Sequence, residues 1–484
     1  MKLKSLINDK KLSIDNINIV GLSENSKEIK KNYIFFIKET KNFKSSYIDE
    51  AVNNGAKLII YSKDCQVNIK KYNKLCYFYA VDDIDRAISK LSEKFHKVKK
   101  NKIKIYGITG TNGKSTVSNF IAQLITLQKE KAGLIGTLGN GIYPKLSQKN
   151  LTTPNIIDIN KYISQFFNKE ASAVVIEASS HGIKQNRIQG INFDTVIFTN
   201  LTHDHLDYHK NMKDYYNTKL KLFTKYKSKR KIICIDNYYG KKIYKDIKNR
   251  NKVKTVSISN SKADFYASDI TYYRYGIKFK IHSNYGDKEI NIKMFGEFNV
   301  INILLAVASL ATNKIKYNLI INNIIKLKPI DGRMNKYYKV GYPTTFIDFA
   351  HTPDAMKQVI VSIKKHFPKN KIITIFGCGG ERDTKKRKSM GEIACKLSDH
   401  IIITNDNPRN ESQKKITEDI ILGIKKNKKY QVVLDRSKAI KKSLNRSNFD
   451  KVVLILGKGH EQFQIVKSKK ISYSDKSEVI KLMV

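Results

Sequence analysis

The stretch "KIKIYGITGTNGKSTVSNFIAQLI" (102–125) constrains the fold more tightly than any other part of the chain. An apolar run, a glycine-punctuated polar turn and a helix-forming run follow one another with no residues to spare. That order reads as strand, tight loop and helix. A buried strand feeding directly into a helix is the repeating unit of a parallel α/β sheet. The loop itself has a chemistry. Gly110 and Gly113 let the backbone N–H groups of the loop close around an anion, and the helix N-terminus adds partial positive charge. Lys114 would neutralise phosphate oxygens, and the Ser115 hydroxyl, followed by Thr116, suits Mg²⁺. The spacing is G-x-x-G-K-S. Ile108 stands where the commoner G-x-x-x-x-G-K-[ST] loop has its first glycine.

The chain has 484 residues, too many for one hydrophobic core, and 41% of them are hydrophobic, enough for several. Residues 1–98 mix short strands and helices such as "DDIDRAISKLSEKFHKV" and are expected to form an N-terminal α/β domain. From 99 to 330, "KIKIYGI", "SAVVIEA", "FDTVIFTN" and "RKIICID" read as buried strands of a largely parallel sheet. "YGIKFKIHSNYGDKEINIKMFG" alternates around Gly286 as a hairpin, and "NVINILLAVASLA" reads as a buried helix. From 331 to 484, "TTFIDFAH", "KIITIFGC", "HIIITND", "YQVVLD" and "KVVLILG" predict a second, smaller doubly wound domain, Rossmann-like in type. Ligands of such sheets bind beyond the carboxyl ends of the strands. Thr109, Glu177, Asn200, Asp348, Asp406 and Gly457 stand there.

The formal charge of +48 raises nucleic-acid binding as a possibility. The lysines are spread over the whole chain rather than gathered in a stripe, and no nucleic-acid module accompanies them. The expectation is solvated lysine-rich faces that attract small anions, with no nucleic-acid partner. Five widely spaced cysteines (Cys65, Cys76, Cys234, Cys378, Cys395) form no C-x-x-C pair. No apolar run is long enough to span a bilayer, and "MKLKSLINDKKLSIDN" lacks a signal-peptide core. A cytoplasmic location without membrane insertion follows as an expectation.

"NLTHDHLDYHK" (200–210) crowds three histidines and two aspartates together. The zinc-hydrolase signature H-x-H-x-D-H fits His203, His205 and Asp207, but Tyr208 then intervenes and the third histidine, His209, comes one residue late. The spacing favours magnesium beside a phosphate loop over zinc.

"TGTNGKS" resembles the phosphate loop of the Mur ligase family, the ATP-dependent amino-acid ligases of peptidoglycan synthesis. Further matching blocks follow in family order: "TTPN" (152–155), "EASSHGIKQNR" (177–187), "NLTHDHLDYH" (200–209), "TKLKLF" (218–223) and "GEFNVIN" (296–302). "DGRMN" (331–335), "DFAHTPDA" (348–355), "GCGGERDTKKR" (377–387), "DNPRNE" (406–411) and "GKGHE" (457–461) complete the set. They cover about 105 to 465. The N-terminal block departs from the family. "LSENSKEIKKNYIFF" (22–36), which includes Ser26, carries Asn25 and Lys27 in place of Asp and Arg, and the usual Asp-Gly stands as Phe43-Lys44.

The resemblance implies three domains: UDP-binding (1–98), central ATP-binding (99–330) and amino-acid-binding (331–484). It implies a monomer that activates a carboxylate of UDP-N-acetylmuramoyl-L-alanyl-D-glutamate as an acyl phosphate and joins it to an amine, using ATP and Mg²⁺. Gly110, Thr111, Asn112, Gly113, Lys114, Ser115, Thr116, Asn299, Arg333, Asp348 and His351 would bind ATP. Ser115, Glu177, His205 and Lys219 would hold magnesium, Lys219 as a carbamate. Lys114, Lys219 and His205 would be catalytic. Ser26, Thr152, Thr153, Ser179, Gln185 and Arg187 would hold the UDP-muramoyl dipeptide. Without the motifs, the two threonines would read as turn or cap residues, Lys219 as an exposed helix lysine and Asn302 as an internally satisfied helix asparagine. "DNPR" marks the branch that adds meso-diaminopimelate. Arg387, Asp406, Asn407, Pro408, Arg409, Gly457 and Glu461 would form that pocket, the arginines meeting the far carboxylate and Glu461 the far ammonium. A lysine-adding or folylpolyglutamate-forming ligase, or a non-ligase ATPase that binds nucleic acid, is the alternative.

Overall fold

The computed structural model describes residues 1–7, 17–38, 44–65, 67, 69–72, 75–99, 101–147, 151–247, 252–312 and 314–483. Phe43, expected to mark the diverged UDP segment, lies outside them. The chain divides into two compact units, one of residues 1–107, 129–196 and 221–229, the other of 108–128, 197–220 and 230–484.

In the first unit, strands Gly21–Ser23, Tyr33–Ile37, Ala56–Ser62 and Tyr77–Val81 pair in parallel in chain order. Their apolar residues meet Ile48 and Ala51 of the helix Ser46–Asn53 in one core. The helix Ile84–Phe95 starts where the Asp83 side chain accepts from the Arg86 N–H, satisfying one of its free amides. Lys131–Gly136 pairs in parallel with Ala171–Glu177, the "SAVVIEA" strand, and antiparallel with Gly139–Ile142. This strand delivers Glu177 to its carboxyl end.

In the second unit, the helix Lys114–Thr126 follows the phosphate loop and is buried along most of its length. Ser228–Cys234 pairs in parallel with Val253–Ser257. The hairpin around Gly286 is present, formed by Gly276–Ser283 and Lys288–Ile292. It is longer than the sequence suggests. Phe265–Tyr273 adds a third antiparallel strand, whose alternation is hidden by an irregularity between Ser268 and Thr271. The helix Glu297–Leu310 matches "NVINILLAVASLA".

A six-stranded sheet runs Asn335–Tyr337, Thr344–Asp348, Val452–Leu456, Ile372–Phe376, His400–Ile403, Tyr430–Val432, with only the first pair antiparallel. Its central strands read as near-continuous apolar runs because both faces are covered. Ile372, Phe376, Leu454 and Leu456 face one core, while Ile373, Ile375, Val453 and Ile455 face the other. Phe463–Val466 and Lys469–Ser472 form a small hairpin that no turn signal announces. Among the described residues no helix is long and apolar enough to cross a membrane. All five cysteines are free thiols.

Candidate active site

The phosphate loop leaves the strand Lys104–Thr109 and turns at Gly110 and Gly113, the latter with φ 84°. A side chain on Gly113 would lie 2.7 Å from Asn302 Oδ1, so glycine is required for both conformation and space. The loop is wired to the segment after Phe193–Phe198. The Thr111 N–H donates to Asn200 O (2.9 Å), the Asn112 N–H to Asn200 Oδ1 (2.9 Å), and Thr199 Oγ1 to Asn112 O (2.6 Å). Lys114 opens the helix, and its Nζ donates to Gly110 O (2.9 Å) and Thr111 O (2.8 Å). Ser115 and Thr116 are buried beside it.

The three histidines go different ways. His203 is half-exposed and pairs with Asp383 (3.2 Å), while buried His209 meets Asp214 (3.3 Å) and lies against Tyr215. His205 holds a left-handed backbone (φ 55°), uncommon for a non-glycine residue. Its N–H donates to Asp204 Oδ1 (2.9 Å), and its Nε2 lies 3.4 Å from Asp204 Oδ2. Burial works against ionisation of Asp204 but is outweighed by His205, His351 and Lys386, so its pKa falls below the ordinary carboxylate value.

Lys219 is no exposed helix lysine. It is 1% exposed, its Nζ donates to Gly110 O (2.8 Å), and it lies over the Tyr215 ring. Burial, and next the neighbouring Lys114, push its pKa well below that of free lysine. Both effects favour the neutral, nucleophilic form of the amine, while Asp204 works the other way.

Of the expected nucleotide residues, Asp348 is buried, its two oxygens accepting from the Ala350 and Met334 N–H groups (2.8 Å each). Burial pushes its pKa up, against Arg333. The Arg333 guanidinium stacks on Phe349, and His351 Nδ1 meets Phe349 O (2.8 Å). Asn299 donates to Phe295 O (2.7 Å) and helps line a cavity of about 280 Å³ with Met294, Phe295, Met334 and Lys336. Asn302 is both an internally bonded helix asparagine, donating to Asn299 Oδ1, and a wall of the phosphate loop.

In the first unit, Glu177 is fully buried and accepts from the Thr137 N–H and hydroxyl (3.0 Å each). Thr152 Oγ1 lies 3.1 Å from Thr137 Oγ1. Thr153 donates to Glu177 O (2.7 Å) and accepts from the Ser179 N–H (3.0 Å), and Ser179 caps the helix Ser180–Lys184. Arg187 donates to Thr153 O (2.8 Å) and Gln185 Oε1 (2.5 Å). These five therefore form one bonded group. Ser26 is tied instead to Glu50 (2.5 Å).

The expected amino-acid pocket needs one correction. Arg387 is fully buried, and its guanidinium is spent on Glu411 (2.6 and 2.7 Å) and Asp419 (2.9 Å). It braces the loop that follows "DNPR" and offers no fork to an incoming carboxylate. Arg409 behaves differently. Its Nη1 donates to the carbonyls of Gly380 (2.7 Å) and Asn407 (3.4 Å), and no carboxylate stands within ion-pair distance among the described residues. Burial, then Arg382, lower its pKa, against the more distant Asp406, Glu461 and Glu381. Its backbone is left-handed (φ 52°) just after Pro408. Asn407 donates to Glu461 Oε2 (3.0 Å), and Asp406 Oδ2 lies where a side chain on Gly457 (φ 111°) would project.

Among the described residues no group of three or more His, Cys, Asp or Glu is placed to hold a metal unaided. Magnesium keeps several waters and binds through few protein groups plus phosphate, so the Ser115 hydroxyl at the start of the helix after the phosphate loop is a donor of the kind it uses. The motifs gave no role to Asp204, Tyr215, Lys386 and Lys458, although Asp204, Lys386 and Lys458 lie within them. An acidic residue between two histidines was the available signal.

A parallel sheet, a glycine-lined phosphate loop and a sheltered lysine beside it define a nucleotide-dependent α/β enzyme class. Residues 108–310 match the Mur ligase middle domain and 332–459 the Mur ligase, glutamate ligase domain. The chain belongs to the Mur ligase family. It is 41% identical to the UDP-N-acetylmuramoyl-L-alanyl-D-glutamate–2,6-diaminopimelate ligase of Wigglesworthia glossinidia brevipalpis, covering 97% of this chain and 96% of that one. Against the ligase of the same name from Aquifex aeolicus (strain VF5), identity is 37%, over 96% and 93% of the two chains. A solved structure of a ligase of that name superposes with a TM-score of 0.72 at 27% identity, covering 100% of this chain and 98% of the other.

Proposed function

We propose that this chain is an ATP-dependent ligase that joins meso-diaminopimelate to UDP-N-acetylmuramoyl-L-alanyl-D-glutamate in peptidoglycan precursor synthesis. The observation that carries the amino-acid assignment is Arg409: a half-buried guanidinium bonded to carbonyls, without an anion of its own. A carboxylate supplies that anion. Glu461 would take the ammonium of the same amino-acid centre.

The reaction has two steps. The D-glutamate carboxylate of the dipeptide attacks the γ-phosphate of ATP, giving an acyl phosphate and ADP. The amine of diaminopimelate then attacks the acyl carbon, and phosphate leaves. Lys114 and the N-terminus of the helix Lys114–Thr126 balance the charge of the phosphates. Asp348, Arg333, His351 and Asn299 frame the nucleotide, and the cavity beside Asn299, lined by Met294, Phe295 and Met334 but also by Lys293, Lys336 and Lys476, offers it apolar contact and positive charge. Thr152, Thr153, Ser179, Gln185 and Arg187 present hydroxyls, an amide and a cation to the muramoyl peptide, with Ser26 assigned to its UDP end. Magnesium, when bound, would take Ser115, His205 and carbamylated Lys219 as ligands and shield the triphosphate charge. The same role for Glu177 rests on the family resemblance. The three-domain division at 98/99 and 330/331 belongs to this reading. So do a monomeric state, a cytoplasmic location, in keeping with five free thiols, and the absence of a nucleic-acid partner.

The testing assay measures phosphate release with the UDP-muramoyl dipeptide, the amino acid, both or neither. Release only with both is expected, and release without them would mean an ATPase. Lysine in place of meso-diaminopimelate should support little turnover. Arg409→Ala should lower kcat/KM for diaminopimelate by roughly 10- to 150-fold, the loss of one charged hydrogen bond, with the KM for ATP unchanged. A wild-type enzyme preferring lysine, or a variant with undiminished selectivity, would sink the amino-acid assignment.

A further inference from the structure

After the strand Val452–Leu456 the chain turns through Gly457 (φ 111°) and Gly459 (φ 52°), and the Glu461 N–H closes the turn on Lys458 O (3.0 Å). Side chains on these glycines would meet Asp406 Oδ2 at 2.7 Å and Gly332 O at 2.6 Å. The turn is therefore pressed against its neighbours, and Lys458 points inward. It is 0% exposed in a chain with 91 lysines and arginines, so a solvated-face explanation does not apply to it.

Lys458 Nζ donates to Glu461 Oε2 (2.8 Å) and Asn407 Oδ1 (3.1 Å). Asn407 Oδ1 also accepts from the Ile465 N–H (2.9 Å), which fixes the amide so that Nδ2 donates to Glu461 Oε2 (3.0 Å). Glu461 Oε2 is thus occupied twice, while Oε1 has no protein donor among the described residues. A buried ammonium balances a carboxylate that would otherwise turn to water, and leaves it one oxygen to offer.

We infer that Lys458 is the positioning residue for amino-acid selection, holding Glu461 so that its free oxygen meets the far ammonium of the incoming amino acid. The inference rests on the pocket assignment made above. Lys458 touches no substrate. It acts through Glu461 and Asn407.

The test uses the full-length enzyme with meso-diaminopimelate and with 2-aminopimelate, which lacks the far amine. Lys458→Met removes the charge at similar volume. It should lower kcat/KM for diaminopimelate by roughly 10- to 100-fold through the amino-acid KM, and shrink the preference over 2-aminopimelate. The KM values for ATP and the UDP-muramoyl dipeptide should stay put. Lys458→Gln, which keeps donors without charge, should recover part of the loss and is read instead if the methionine variant does not fold. Glu461→Gln is the third arm. If it leaves selectivity intact, the pocket assignment falls and this inference with it. If it abolishes selectivity while a folded Lys458 variant keeps it, the Lys458 inference alone is overturned. An equal rise in all three KM values would also overturn it, in favour of a scaffold role.

Discussion

Lys114→Ala should lower turnover by about a thousandfold or more, close to 4 kcal/mol of transition-state stabilisation, in a protein that still folds. The fold should survive because the helix it begins is held by Val117, Phe120, Ile121 and Leu124, all essentially buried. The ammonium itself rests on carbonyls of its own loop, Gly110 O and Thr111 O, acceptors that can exchange it for phosphate oxygens. Charge separates most as the phosphoryl group moves, so the deficit should fall on kcat more than on the KM for ATP. Ligation rate and thermal melting, measured together, decide it. Undiminished ligation by a variant that melts like wild type would remove the phosphate-loop assignment.

What could be read in the sequence follows from how local each signal is. The near-continuous apolar runs 372–376, 401–403 and 452–456, interrupted only by Thr374, announced a doubly covered parallel sheet, because burial on both faces suppresses alternation. The hairpin at Gly286 was legible from its turn, but its third strand was not, since the irregularity between Ser268 and Thr271 breaks the period of two. In the site, motif position gave Lys219 and Arg409. Their burial and partners are tertiary facts: Tyr215 over one, Gly380 against the other. Arg387 shows the opposite failure. It sits in a binding motif, yet Glu411 and Asp419, 24 and 32 residues further on, fold back to claim it. No local pattern distinguishes an arginine waiting for a ligand from one already paired.

Lys219→Ala should lose activity by about a thousandfold, and short carboxylates such as acetate or propionate should restore part of it. The reasoning begins with the cost of charge. A fully buried ammonium beside Lys114 is opposed by both burial and like-charge repulsion, which favours the neutral amine, the form that adds to CO₂. The neutral amine adds to the carbon of CO₂: the N–C bond forms, one C=O π bond opens onto oxygen, one proton leaves to solvent, and an anion then stands near Lys114. Deleting the side chain leaves room for a free carboxylate to supply that anion. Lys219→Met separates charge from packing: it fills the space, carries no charge and leaves no room, so it should be equally inactive and resist rescue. ¹³C-bicarbonate should also give wild type, and neither variant, a carbamate carbon signal. Normal activity in the alanine variant would end the carbamate assignment. Rescue of both variants alike would show that the added carboxylate acts somewhere other than the space Lys219 occupies.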